Sequence, residues 1–376
     1  MPRFVRRAPT SLALAAAAIV LGACSPASPA PATLITPAPS PAAVTSSGPA
    51  ASPVTTASPT SEVSVPVKDG EPWLLSNWYV PGKEEKDLFL TRADGTDSQA
   101  ILTDLPGTRI VPSWSPDGSQ FAFVTRDSTT PNGSIWTAQA DGSGAAMLTD
   151  GGGECPDGIF HPNWSPDGSK LAAICYPDPG GSQGSVATFD FATRSVKRLY
   201  TVTWPEHLDG APSWSPDGKS LAFAIVHWDP TNEFITGSLV ATVPATGGKE
   251  NRLTTFDTNM SDPDWSPDGS ELVMNSNDLG NIQTSDQPSN LFAIKPDGTS
   301  QRQITKSSVD GTMRIAQPKW TPDGTRILVS VAIAPPGTGP VTVNDVQIAF
   351  VDPAGGEPVL FSPPIHGSRP DMRPTP

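Results

Sequence analysis

The pentapeptide Trp-Ser-Pro-Asp-Gly occurs at Trp114–Gly118, Trp164–Gly168, Trp214–Gly218 and Trp265–Gly269. Trp320-Thr321-Pro322-Asp323-Gly324 is a near-copy. The five tryptophans stand 50, 50, 51 and 55 residues apart. A period of that length restricts a chain to stacked or radially repeated units, in which each unit buries its apolar face against its neighbours. Function then has to be sought in the loops and along the axis of the repeat.

Each copy reads as a β-turn. Proline pre-sets φ at the second position, aspartate tolerates the third, and glycine supplies the left-handed residue that closes the turn. Apolar strand residues follow: Phe121–Val124, Leu171–Ile174, Leu221–Ala224, Leu272–Met274 and Ile327–Val329. A second hairpin comes later in each period, with turns at Ala140-Asp141-Gly142, Phe191-Ala192-Thr193, Ala245–Gly248, Pro296-Asp297-Gly298 and Pro353–Gly356. Each period therefore holds four short strands, A to D, with the tryptophan ending strand A. Four strands per ~40–50 residues make a propeller blade.

A further blade is split between the chain ends. Trp73–Val80, Asp87–Thr91 and Ala100–Thr103 read as strands B, C and D, with a turn at Ala93-Asp94-Gly95 and no strand A before them. Ser368–Pro376 aligns with Ala211–Asp217 when Met372 takes the tryptophan position. The expected fold is all-β: a six-bladed propeller of four-stranded blades, closed by pairing of the C-terminal strand with the N-terminal blade. Closure removes two edges that would otherwise lie open.

These repeats, a small residue, Pro, any residue, then Trp-Ser-Pro-Asp-Gly, resemble the TolB-like, WD-repeat-like β-propeller. The resemblance covers residues 69–376. It implies six blades and a periplasmic or surface platform that binds proteins. TolB carries a folded α/β domain before its propeller, and here a low-complexity segment stands in that place.

Residues 1–23 read as a signal peptide. Arg3, Arg6 and Arg7 form a basic start, and Ser11–Val20 is an apolar run too short for the ~20 residues a membrane span needs. Leu21-Gly22-Ala23-Cys24 resembles a bacterial lipobox, which makes Cys24 the lipidation site. Residues 24–68 then form a tether: ten prolines among Ala, Ser and Thr, and no charge before Glu62. Such a composition cannot bury enough apolar surface to offset chain entropy. Its reach is roughly 35–40 Å as a coil and up to about 140 Å as polyproline II. The expected address is the extracytoplasmic face of a bacterial membrane, at the cell surface or in the periplasm, held by lipid.

The chain carries −14, and removing Arg3, Arg6 and Arg7 with the leader makes it −17. That sign argues against nucleic acid and anionic head groups as partners. After Cys24 only Cys155 and Cys175 remain. An even pair in an oxidising compartment points to a disulfide, with two free thiols as the alternative.

The A–B and C–D turns share one face of such a propeller and are short and alike. The other face carries the B–C loops and the blade-to-blade links, which are long and unlike one another: 126–133, 176–184, 227–237, 275–290 and 332–344. Variable loops on a rigid scaffold are where binding usually resides. The richest region joins Trp204, His207 and Asp209, read as the link between two blades, to His227, Trp228 and Asp229, read as the opening of a B–C loop. Indoles beside imidazole and carboxylate suit a peptide or a glycan. A second candidate is the channel mouth. The residue three before each motif tryptophan points there: Val111, His161, Ala211, Asp262, Gln317 and, in the last repeat, Arg369.

Gly180-Gly-Ser-Gln-Gly184 matches a nucleophile elbow but lacks the strand-to-helix context. Phosphate-loop, zinc-spacing and dinucleotide patterns are missing from the sequence. The expected function is a lipid-tethered, monomeric, protein-binding or scaffolding propeller that is not an enzyme and needs no cofactor or metal. The alternative is a carbohydrate-active or metal-dependent lyase working at the channel mouth.

Overall fold

The computed structural model describes residue 67 and residues 70–79, 86–126, 133–178, 181–229, 231, 235–276, 289–306, 313–333 and 346–375. Cys24, the leader and nearly all of the tether lie outside them, as do most of the loops 126–133, 275–290 and 332–344.

The described chain forms six four-stranded antiparallel sheets. In chain order, blade 1 takes β1 (Trp73–Tyr79), β2 (Lys86–Arg92) and β3 (Gln99–Ile101). Blade 2 is β4 (Thr108–Trp114), β5 (Gln120–Arg126), β6 (Ser134–Gln139) and β7 (Ala146–Thr149). Blade 3 is β8 (Ile159–Trp164), β9 (Lys170–Cys175), β10 (Gln183–Asp190) and β11 (Ser195–Thr203). Blade 4 is β12 (Glu206–Trp214), β13 (Ser220–Trp228), β14 (Ile235–Pro244) and β15 (Asn251–Arg252). Blade 5 is β16 (Met260–Trp265), β17 (Leu272–Ser276), β18 (Leu291–Ile294) and β19 (Arg302–Gln303). Blade 6 is β20 (Met313–Trp320), β21 (Ile327–Ile333), β22 (Val346–Val351) and β23 (Val359–Leu360). Last, β24 (Ser368–Met372) returns to pair with β1.

The expected closure is therefore present. Met372 lies opposite Leu74, as Trp114 lies opposite Phe121 and Trp320 opposite Ile327. The turn chemistry repeats as well. In each Ser/Thr-Pro-Asp-Gly turn the first hydroxyl and the amide two residues past the aspartate donate to the aspartate Oδ1, as in Ser115→Asp117 (2.6 Å) and Ser119 N→Asp117 (3.0 Å). Between blades the cores are apolar. Trp214 packs with Ala172, Val186 and Phe223, and Trp164 with Val124, Ala173 and Phe189.

One expectation needs correcting. His207 and Asp209 are not in a link, and His227 and Trp228 do not open a loop. The ribbon β12–β13 runs nine residues on each strand, leaving only Trp204-Pro205 between β11 and β12. Continuous apolar and β-branched sequence, Leu221 through Val226, carries the pairing past the usual blade height.

Cys155 and Cys175 are bonded, with Cα atoms 5.2 Å apart. The bridge ties the entry to blade 3 to the end of β9. Opening this 20-residue separation should cost on the order of 3 kcal/mol in the chain-entropy account. Thermal melts with and without reductant, alongside intact mass after alkylation, check it. Two thiols alkylated without reductant would contradict the bond.

Candidate functional site: the channel and the loop face

Strand A of every blade carries a β-bulge just before its proline. Register shifts fall between Ile110 and Ser113, Phe160 and Asn163, Asp209 and Ser213, Ser261 and Asp264, and Ala316 and Lys319. Another lies between β1 and β24. At the bulge Val111, His161, Asp262, Gln317 and Arg369 have φ between 47° and 57°, a left-handed conformation unusual outside glycine. Bulges re-aim side chains, and Val111, Ala211, Asp262, Gln317 and Arg369 line a central cavity of about 60 Å³. In blade 4 the left-handed residue is Gly210 (φ 70°), one place earlier. A Cβ there would stand 2.4 Å from Asp262 Oδ1, so glycine is what lets Asp262 approach.

The residue between proline and tryptophan forms a second tier of the same cavity, and sequence reasoning missed it. Ser113, Asn163, Asp264, Lys319 and Asp371 line it. These side chains also lock successive blades together. Trp114 N–H donates to Asp371 Oδ2 (2.7 Å), Trp265 N–H to Ser213 Oγ (3.2 Å) and Trp320 N–H to Asp264 Oδ2 (2.8 Å). Ser213 Oγ and Lys319 Nζ both donate to Asp264 Oδ1, at 2.8 and 3.0 Å.

The channel is electrostatically tight. Burial, with help from the Asp209 charge, pushes Asp262 up to about 6, against the pull of Arg369 at 3.6 Å. Burial likewise pushes Asp371 up to about 6, against Lys319 and the Trp114 amide. Burial opposes the Lys319 ammonium, but Asp264 and Asp371 outweigh it and raise its pKa. His161 is held well below the ordinary imidazole value by burial and then by Arg369. Its Nδ1 is buried with no hydrogen-bond partner among the described residues. At about 60 Å³ the cavity has room for roughly four waters, which is far less than a sugar ring requires. Among the described residues no three His, Cys, Asp or Glu side chains converge to hold a metal.

Asp371 gives a signed pH prediction. Its folded pKa of about 6 lies above the ordinary 3.8, so the folded state binds this proton more tightly than the unfolded state. The resulting stability is whole below 3.8 and is lost as pH rises through 6. From about pH 5 to about pH 7.5 the loss is on the order of 1 kcal/mol for this group, and Asp262 acts in the same direction. The turn carboxylates Asp217 and Asp268, held at about 2 by hydrogen bonds from Ser215 and Ser266, titrate below that window. Thermal melts should show a higher Tm at the lower pH. Asp371→Asn keeps an acceptor for Trp114 and should flatten the slope, whereas an unchanged slope would contradict the assignment.

The six loop-face candidates do not form one constellation. Glu206 lies opposite His227 and His207 opposite Val226, and side chains alternate across a strand. His227 therefore shares one side of the ribbon with Glu206, where its ring meets Phe256 (5.4 Å) and its Nδ1 meets Thr236 Oγ1 (2.7 Å). His207 and Trp228 share the other side. Trp204 meets His207 edge-on at 5.5 Å. Asp229 is buried and caps its own loop, accepting from Thr231 N (3.1 Å) and the Thr231 hydroxyl. Asp209 belongs with the channel, where its charge acts on Asp262 and Tyr176.

The profile of the TolB beta propeller domain family matches residues 154–343. An uncharacterized protein of Agrobacterium fabrum, Atu1656, is 24% identical over 265 residues, 69% of this chain and 78% of that one. The solved structure named for TolB of Agrobacterium tumefaciens superposes with a TM-score of 0.55 at 18% identity, covering 81% of this chain and 99% of its own. Hydrazine synthase of Kuenenia stuttgartiensis gives 0.58 at 15% identity, over 83% of this chain and 47% of its own. At these identities the two structures speak for the fold alone. The family match spans half the chain and takes in three of the four Trp-Ser-Pro-Asp-Gly turns and the Trp320–Gly324 near-copy, and the chain belongs to the TolB-type β-propeller family.

Proposed function

We propose that this chain is an extracytoplasmic lipoprotein, anchored through Cys24, whose propeller binds a protein partner on its loop face and at the channel mouth there. The observation that carries the reading is where the polypeptide enters the ring. Strand β1 stands at the strand-B position of its blade, so Trp73 lies at the face of the Ser-Pro-Asp-Gly turns. The segment just ahead of Trp73 therefore joins the propeller at that face, and the loop face is the opposite one. The loop face also gathers Trp204, His207 and Trp228, half-buried aromatics of the kind that anchor protein interfaces. The reading involves no catalytic step.

Photo-crosslinking on intact membranes tests it, with the crosslinker placed at His207 on the loop face or at Lys219 on the turn face. Capture from His207 and not from Lys219 is expected. Capture from Lys219 alone would overturn the assignment of the face. Cys24→Ser should abolish diacylglycerol attachment and release the protein from the membrane fraction. A mutant that still carries the lipid would overturn the anchor.

A further inference from the structure

In four of the five unsplit blades the turn glycine packs on the turn of the blade before, on the proline ring in three and on a carbonyl oxygen in one; in blade 4 it does not. A Cβ built on Gly168 would stand 3.5 Å from Pro116, one on Gly269 3.6 Å from Pro216, and one on Gly324 3.7 Å from Pro267. One on Gly118 would stand 2.5 Å from the carbonyl oxygen of Pro374. At Gly218 the same Cβ would meet nothing within 4 Å, although Pro166 occupies the corresponding place. The Gly218 turn thus stands clear of the turn of blade 3, and a cavity of about 370 Å³ opens there.

The cavity is a pocket rather than a cleft running through the ring. Its outer rim is closed, because Lys197 Nζ donates to Thr246 O (3.0 Å) and Gly248 N–H to Leu199 O (3.3 Å). At the loop face the two-residue Trp204-Pro205 link joins the same two blades. Its volume exceeds the ~300 Å³ at which small-molecule pockets begin. Trp214, Pro166, Pro216 and Ala245 supply an apolar wall, and the carboxylates Asp167 and Asp217 stand at the exposed mouth. Their charges persist across physiological pH. Hydrogen bonds from Ser165 and Ser169 hold Asp167 below its ordinary pKa, and those from Ser215 and Lys219 hold Asp217 at about 2. The lining cation, Lys170, is paired with Asp190 at 2.7 Å. The mouth also meets Lys219, an 81% exposed side chain paired with Asp217 at 3.2 Å, which a bound cation would displace.

From this wall and this mouth we infer that the junction of blades 3 and 4 is a binding pocket for a small organic cation, an amine or guanidine carried on an apolar stem. The stem would lie against Trp214 and the two prolines, and the cationic head would sit between Asp167 and Asp217. The inference is independent of the loop-face partner, because it concerns the opposite face.

The test is calorimetric titration of the full-length protein in detergent with benzylamine, benzyl alcohol and benzoate, three probes of one shape and different charge. Benzylamine should bind, and more weakly as salt is raised. Benzyl alcohol should bind about fivefold more weakly, the upper size of one exposed charge pair, and benzoate more weakly still. Asp167→Asn with Asp217→Asn keeps the turn acceptors and removes the charge. It should lower benzylamine affinity by at least the same factor and leave benzyl alcohol unchanged. Ala245→Phe should fill the pocket and abolish binding of all three, with a thermal melt confirming that the variant folds. A blocked Ala-Arg-Ala tripeptide separates the two sources of such a cation: binding assigns the pocket to a partner's side chain, and failure beside bound benzylamine assigns it to free molecules. Equal binding of benzoate and benzylamine, or benzylamine binding that survives both variants, would overturn the inference.

Discussion

Removing residues 367–376 is expected to unfold the protein at physiological temperature or to lower its Tm by far more than a surface change would. β24 is not a tail laid over a finished ring. Arg373 N–H donates to Trp73 O (2.7 Å) and Arg373 Nε to Gly118 O (2.8 Å), so one residue bonds to both blades 1 and 2. Asp371 accepts from Trp114 N, Asn77 Nδ2 donates to Ser368 Oγ (3.1 Å), and Arg369 N–H donates to Gln317 Oε1 (3.0 Å) in blade 6. Five such bonds at about 1 kcal/mol each, with the donors they leave buried, put the loss at roughly 5 kcal/mol or more. Met372→Trp restores the residue used by the five unsplit blades and should be tolerated. Met372→Asp would place a charge against Leu74, Leu328 and Ile348 and should lower Tm clearly. Thermal melts of the three variants check this, and a truncated protein that melts like the wild type would contradict ring closure by β24.

Arg109→Met should cost about 3–5 kcal/mol, the range for breaking a buried ion pair from one side. Arg109 on β4 and Asp87 on β2 are 1% and 0% exposed and pair across the junction of blades 1 and 2. The same guanidinium donates to Leu105 O in the link between those blades. The single variant takes the guanidinium away from a carboxylate that is 0% exposed. Replacing both residues, Asp87→Leu with Arg109→Met, removes the charges together and should recover most of the stability, since such pairs repay little beyond their own desolvation. Denaturant melts of the double-mutant cycle measure the difference. A single variant within about 1 kcal/mol of wild type would show that the pair does not hold the junction.

What could be read from sequence was what is local. The Ser-Pro-Asp-Gly turn is specified by four consecutive residues, so its position was legible in the chain itself, and with it the blade count and the split blade. The Met372 register followed because the flanking Arg-Pro-Asp and Arg-Pro repeat the same local grammar. The left-handed bulge residues were not legible, since Val111, His161 and Gln317 share no side-chain chemistry that favours φ near +55°. Their conformation is imposed by pairing with the neighbouring strand. The residue between proline and tryptophan looked free to vary. Its role is to accept or exchange bonds with the next blade, as Asp264 and Asp371 do, and sequence spacing does not show which amide it meets. The length of β12–β13 was misjudged because histidine and tryptophan near its end resemble loop chemistry. The open junction beside Gly218 had no local signal, since its pentapeptide is identical to its neighbours.

The direction in which the chain enters β1 has a mechanical consequence. The segment preceding Trp73 arrives at one end of a strand that runs along the propeller axis. That strand is held in register by seven residue pairs with β2 on one side and by β24 on the other. Antiparallel hydrogen bonds lie perpendicular to their strands. A load applied through that segment therefore acts along β1 and shears all of these bonds at once, whereas entry at a short outer strand such as β3 would set only three residue pairs against it. The joint that closes the ring is also the one best placed to resist being pulled.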